Sequence, residues 1–301
     1  MIKHDNVISL NKRSKSYKTQ QRISNALAYI VLILLSVIWL YPILWIVLNA
    51  FRVEYNDSGN LIGIVVSNYW PTGFGFENFK ILFTETYFPT WFLNTLFVST
   101  FSCIISTIFT LCVAYVMSKI KFSWRRTYLR FAMILGLFPG FMSMIAVYYI
   151  LKSMHLTQSL FALILVNSAG AGLGFYIAKG FFDVIPDSLI ESARLDGATN
   201  AQVFFKIILP LSKPIIIYTA LLSFTGPWMD FIFARVILGV ENKELLTVAV
   251  GLYDMLYGNR VDSNNFTVFC AGCTCVAVPI VTLFLSMQKY YIEGVTAGSV
   301  K

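Results

Sequence analysis

Six apolar stretches, each long enough to cross a hydrocarbon layer about 30 Å thick as a helix, divide this 301-residue chain. Their approximate limits are 26–50, 92–118, 129–151, 158–182, 214–236 and 266–287. A backbone that crosses lipid must satisfy its own hydrogen bonds, which leaves helices and closed barrels. None of the six runs alternates apolar with polar residues as a barrel strand does. The chain is therefore predicted to be an all-α integral membrane protein of six transmembrane helices. Composition agrees, since 57% of residues are hydrophobic and only 13% charged, against roughly 25% charged in a soluble domain.

The net charge of +8 must then be concentrated in the connecting segments, where it reports orientation. With the N-terminus in the cytosol, the inner segments 1–25, 119–130, 179–213 and 288–301 hold 17 of the 23 Lys and Arg residues. Both termini are thus predicted to be cytosolic. No basic patch interleaved with exposed aromatics appears, so no nucleic-acid partner is expected. The basic N-terminal segment leads into an apolar run that reaches Phe51. That run exceeds a signal-peptide core of about 7–15 residues and lacks a small-residue cleavage site, so it reads as an uncleaved first span. The organisation predicted is a cytosolic segment 1–25, a membrane domain 26–287 with one large inner loop 183–213, and a cytosolic tail 288–301.

The five cysteines, Cys103, Cys112, Cys270, Cys273 and Cys275, all lie within apolar runs, and the only histidines are His4 and His155. The trio near residue 270 lacks an imidazole partner, so packing between membrane helices is the expected role and no metal site is predicted.

The inner loop carries the densest local signals. Pro186 suits a helix start, Asp187 complements the dipole of the first turn, and Gly197 is placed to end the helix at about Leu195. Thr199 and Gln202 form a capping box. They open a second helix whose Val203, Phe204, Ile207 and Ile208 share a face, and Pro210 is expected to stop it. Spacing alone leaves two readings of this helix-turn-helix: an interfacial amphipathic element with a solvated Glu191/Arg194 pair, or a docking element for another protein.

Residue identity adds a resemblance. Glu191-Ser192-Ala193-x-x-Asp196-Gly197-Ala198, followed by Leu209-Pro210, resembles the cytoplasmic Glu-Ala-Ala loop of permeases from binding-protein-dependent ATP-binding-cassette importers, with Ser192 in place of the middle alanine. Phe76-Glu77-Asn78-Phe79, Phe92-Leu93-Asn94-Thr95, Pro139-Gly140, Pro227-Trp228-Met229-Asp230-Phe231 and the tail Glu293 to Gly298 look like the sugar-importing branch, and within it the G-type permease of maltose/maltodextrin importers. The resemblance implies a type I importer permease fold in a bacterial cytoplasmic membrane. It implies a second, F-type permease, two cytoplasmic ATPase subunits that use ATP and Mg, an extracytoplasmic sugar-binding protein, and an oligosaccharide substrate such as a maltodextrin or a raffinose-type sugar. Glu191, Ser192, Ala193, Asp196, Gly197, Leu209 and Pro210 would then dock the ATPase. Closing the ATPases would move the fifth and neighbouring spans between inward- and outward-facing states.

The chain has no G-x-x-x-x-G-K-[S/T] phosphate loop, so it is expected to bind no nucleotide or other cofactor and to be no enzyme. Candidates for a sugar path are Asn167, Ser168 and Gly170, with Gly172 and Gly174, on the fourth span, and Trp228 and Asp230 on the fifth. Close helix packing is the competing role of the small residues. Asp230 lies about 24 Å along its span from Pro214, near the outer face, where a structural role competes with sugar contact. In the outer segment from Gly239 to Asn265, Tyr253 and Tyr257 are the residues expected to face the binding protein. A self-sufficient secondary transporter would need internal repeats and a mid-membrane carboxylate, and a membrane-bound enzyme would need clustered His, Asp or Glu. Neither pattern is present.

Overall fold

The computed structural model describes residues 2–56, 59, 61–63, 69–137, 140–169, 171–258 and 265–296. Among them every regular element is helical, and strand-like pairing is confined to the isolated bridges Arg52–Phe74 and Tyr55–Leu61. The helices are α1 (Ile2–Ala50), α2 (Glu77–Thr84), α3 (Phe88–Lys119), α4 (Arg125–Gly136), α5 (Gly140–Ser153), α6 (Leu160–Ala169), α7 (Ala171–Val184), α8 (Asp187–Leu195), α9 (Asn200–Val203), α10 (Leu209–Leu211), α11 (Lys213–Met229), α12 (Ile232–Leu238), α13 (Val248–Tyr257) and α14 (Phe266–Thr296).

Among the described residues, three helical segments are individually long and apolar enough to span a membrane: Gln20–Ala50, Phe88–Lys119 and Phe266–Lys289. Two bent pairs raise the number to five at most: α6 with Gly174–Val184, at 41°, and Asn200–Leu211 with α11, at 85°. Among the described residues, three of the six stretches read from hydropathy are not single unbroken helices. The stretch 129–151 is divided between α4 and α5, 158–182 between α6 and α7, and 214–236 between α11 and α12. Hydropathy averages over such breaks, because a side chain that interrupts the backbone ladder barely changes the mean. At the α11–α12 break the cause is visible: Asp230 turns to extended geometry, and its carboxylate accepts the Phe233 N–H at 3.1 Å. This is the competition with the helix ladder that makes Asp a capping residue. Helix continues from the first span back to Ile2 and from the last span on to Thr296.

The most buried of the long helices is α3, which packs against α7, α11 and α6. By contrast, α1 leaves a nearly continuous apolar surface from Ile23 to Leu44 uncovered, as a helix facing lipid or another membrane subunit does. Amide side chains from two of the sequence motifs, one buried and one half-buried, lock the ends of the bundle opposite the 185–212 loop. Asn78 is fully buried, donates to the carbonyls of Ala50 and Arg52 at 3.1 and 2.7 Å, and accepts the Thr267 hydroxyl at 2.9 Å. It thereby ties α1, α2 and α14 together. Asn94 donates to the carbonyls of Glu244 and Leu246 at 2.8 and 3.0 Å, fixing the segment before α13 onto the start of α3.

Candidate functional site

Three regions contain the residues singled out from sequence. The first is the loop between α7 and α11. Helix α8 runs from Asp187 to Leu195 with Pro186 at its N-cap. It ends in a complete Schellman turn: Ala198 N–H donates to Ala193 O at 2.9 Å and Gly197 N–H to Arg194 O at 3.0 Å, with Gly197 at φ +83°. Only glycine adopts that left-handed geometry without cost, and Ala193 and Ala198 are the small residues that close the turn against the core. The capping box is present, with Thr199 Oγ1 accepting Gln202 N–H and Gln202 Oε1 accepting Thr199 N–H.

Two loop expectations differ from the structure. The helix does not stop before Pro210 but continues through it to Leu211. A π-turn over Phe204–Ile208, closed by Leu209 N–H to Phe204 O, widens the coil just ahead of the proline and so relieves the clash its ring makes with preceding carbonyls. And Arg194 donates to Asn200 Oδ1 at 3.0 Å, so this guanidinium braces the turn rather than pairing with Glu191.

Val203, Phe204 and Ile208 are buried as the stripe predicts, and Ile207 is half-buried. Glu191, Ser192, Asp196 and Gly197 are exposed, Ala193 and Leu209 are half-buried, and Pro210 is exposed. At the tip, Leu195 is 89% exposed, an apolar knob the sequence reading passed over. Beside it opens a cleft of about 610 Å³ lined by Lys121, Asp187, Glu191, Arg194 and Thr199, among others. Lys119, 4% exposed, donates to Asp187 Oδ1 at 2.7 Å. That hydrogen bond, with the positive charge behind it, holds the Asp187 carboxyl below its usual range.

The second region is a cavity of about 260 Å³ among α3, α6, α7 and α11, lined by Ser106, Thr110, Asn167, Tyr218, Thr219 and Ser223 together with Gly174, Ile177 and Leu222. Its hydroxyls are organised: Ser106 and Ser223 are hydrogen-bonded across the helix pair at 3.0 Å, and Asn167 Nδ2 donates to Leu163 O at 2.9 Å. No charged side chain lines it. Ser106 and Thr110 extend a buried seam of Thr95, Ser99 and Ser102 along one face of α3. The three- and four-residue spacing of these hydroxyls was the signal available in the sequence.

The other path candidates lie elsewhere. Ser168 lines a separate apolar cavity with Phe109, Val113 and Phe161. Trp228 is 3% exposed and packed edge-on to Phe92 at 5.1 Å. Asp230 caps α12, and Gly170 lies outside the described residues.

At the opposite end, the exposed Tyr257 packs at 5.1 Å on Tyr253, which packs at 4.5 Å on Phe231, both pairs with tilted rings. The Arg235 guanidinium lies 5.1 Å from the Tyr253 ring centre, so the pair of tyrosines is held in place from below.

Comparison with known proteins gives these three regions a context. Residues 19–296 match the family described as "Binding-protein-dependent transport system inner membrane component". The chain is 33% identical to the maltodextrin transport system permease protein MalD of Streptococcus pneumoniae, over 96% of this chain and 99% of that protein. It is 32% identical to the galactooligosaccharides transport system permease protein GanQ of Bacillus subtilis, over 94% and 98%. Among solved structures, a chain from a bacterial ABC transporter involved in the import of the acidic polysaccharide alginate superposes with a TM-score of 0.77 at 22% identity, over 90% of this chain and 97% of that one.

Proposed function

The chain belongs to the family of binding-protein-dependent transport system inner membrane components, and from that premise we propose that it is the permease subunit of an ATP-driven oligosaccharide importer, with maltodextrins as the substrate. The observation that carries the reading is the loop. Two short helices joined by a rigid Schellman turn present Glu191, Leu195 and Gly197 outward beside a charged cleft. The second of them stands at 85° to α11, the attitude of a helix lying along a membrane surface below a crossing one. An apolar knob in a charged surround on a stiff turn is a docking element, and an ATPase subunit is the occupant that a permease of this family requires.

The chain itself works on neither ATP nor Mg; both belong to the partner ATPases. A second permease covers part of the uncovered apolar surface, and both termini lie in the cytosol, with the loop inside and Tyr253 and Tyr257 outside, towards the sugar-binding protein. The membrane is the bacterial cytoplasmic membrane. For the sugar path we assign Asn167 together with Ser106, Thr110, Tyr218, Thr219 and Ser223, because an uncharged cavity lined by hydroxyl and amide groups matches a neutral polyol. The position of Trp228 within the core and the capping bond of Asp230 favour structural roles for those two.

The names of the two relatives support oligosaccharides as the class, and maltodextrin is the finer proposal among them. The test is co-purification followed by a sugar panel. Solubilised from its native membrane, the chain is expected to bring down a second permease and an ATPase subunit. The ATPase of that complex, with its binding protein, should be stimulated by maltotriose more than by galactose- or arabinose-based trisaccharides. Stimulation by a galactotriose alone would move the substrate to the second relative's class, and a chain that purifies alone and transports alone would refute the importer.

A further inference from the structure

Among the described residues, α3 is bonded to both of the regions just assigned to partners. Near its last turn Tyr115 Oη donates to Asn200 O at 3.0 Å, Ser118 Oγ to Asp183 Oδ1 at 2.6 Å, and Lys119 Nζ to both Ile185 O and Asp187 Oδ1 at 2.7 Å. The Tyr115 ring also packs on Phe204 at 4.9 Å. These bonds reach the start of α8 and the start of α9, so they grip the docking loop on both sides of Gly197. Near its first turn Trp91 Nε1 donates to Lys243 O at 2.6 Å, Asn94 Nδ2 to the Glu244 and Leu246 carbonyls, and Val248 N–H to Thr95 Oγ1 at 2.8 Å. Gly251 lies so close to Trp91 that an added Cβ would sit 2.2 Å from the indole, leaving α13 no play against α3.

What joins these two ends is a single helix of 32 residues, with its only proline in the first turn. The other long helices contain Pro42 and Pro279 in their interiors. The covalent route from the loop into α11 passes an 85° bend at Ser212, flanked by Pro210 and Pro214, and α11 itself ends at the Asp230 break. A hinge absorbs displacement, whereas an unbroken and well-packed helix carries it. We propose that α3, rather than α11, is the rigid relay between the docking loop and the opposite mouth, with Lys119 and Tyr115 as positioning residues that engage the loop. The relay rests on the importer reading, and it makes the Lys243–Tyr257 segment move with the ATPases. Lys119 and Asn94 are about 37 Å apart along the helix, so the two contacts are coupled with no residue in common.

The experiment uses the co-purified permease–ATPase complex in nanodiscs, with Tyr257→Cys as reporter and a maleimide as probe. Labelling of residue 257 is timed without nucleotide and after trapping with Mg-ATP and vanadate. The relay predicts rates that differ about fivefold or more between the two states, the scale of an ordinary allosteric coupling. Lys119→Met should bring the ratio close to one, Tyr115→Phe should reduce it, and Lys119→Arg, which keeps a charged donor, should preserve it. If the Lys119→Met complex is not recovered, Tyr115→Phe decides, because it deletes one hydrogen bond and keeps the ring against Phe204. A full nucleotide response in the recovered variants would overturn the relay and return the transmission to α11. So would the lack of any response in an unmodified complex that hydrolyses ATP. A chain that recruits no ATPase sinks the importer reading itself, a result distinct from both.

Discussion

Replacing Gly197 with alanine tests the docking role proposed for the loop, because the structure separates its two effects. The residue sits at φ +83°, and a Cβ built there meets nothing within 4 Å. The substitution therefore creates no clash inside the chain, and its cost is conformational: about 1–2 kcal/mol for holding an L-residue in left-handed geometry. Loop turns of this kind open without unfolding the bundle, so the thermal midpoint of the isolated chain should barely move. In the proposed role docking requires the closed Schellman turn, however, and a penalty of about 1–2 kcal/mol on the competent conformation weakens association by a factor of about 5–30. The Cβ also points into the open space a partner would fill. Titrating purified ATPase subunit onto the nanodisc-embedded permease pair measures the loss. Gly197→Asn is the control, since asparagine tolerates the left-handed region better than alanine, and it should recover part of the affinity. If alanine binds as tightly as glycine while transport stays normal, the turn is not the dock and the reasoning fails.

Two further outcomes follow from buried polar contacts. Asn78→Leu abandons two carbonyls and the Thr267 hydroxyl; with each orphaned buried group costing about 1–3 kcal/mol, the loss should be about 3 kcal/mol or more, seen as a clear drop in the thermal midpoint of the detergent-solubilised chain. An unchanged midpoint would mean that the Asn78 hub contributes nothing. At Glu54, burial raises the carboxyl pKa, but hydrogen bonds from Arg52 and Thr72 outweigh it and hold the value below the usual range. A carboxyl with a lowered folded-state pKa stabilises the fold above its unfolded value, and that stability is lost as pH falls through the lowered one. Acid unfolding of Glu54→Gln should accordingly start from a lower neutral-pH stability and show a shallower acid limb; identical limbs would dismiss the contribution.

The loop was legible because each of its signals is local. Gly197, the Thr199–Gln202 box and the buried stripe of Val203, Phe204 and Ile208 each act within a few residues of themselves. Pro210 misled because its rule assumes a regular α-helix, and a π-turn supplies a way around it. The break between α11 and α12 escaped for a related reason: the capping bond of Asp230 is one hydrogen bond in an otherwise apolar run. Asn78 and Asn94 stood out as parts of motifs, but their roles depend on carbonyls or hydroxyls from distant segments that no spacing rule brings together. The sugar-path residues divide similarly. Asn167 was singled out, yet its neighbours Ser106, Thr110, Tyr218 and Ser223 are common residues in two other helices, and only packing shows that they share a cavity.

The central claim is that this chain moves an oligosaccharide only as part of an ATP-driven complex. It is tested most directly by uptake of radiolabelled maltotriose into proteoliposomes holding the co-purified complex, with binding protein on the outside and ATP sealed within. The account predicts accumulation that needs both ATP and the binding protein and that falls when Ser106 and Ser223 are replaced together by bulky apolar residues. Accumulation by the lone chain, driven by an ion gradient with no nucleotide present, would contradict it.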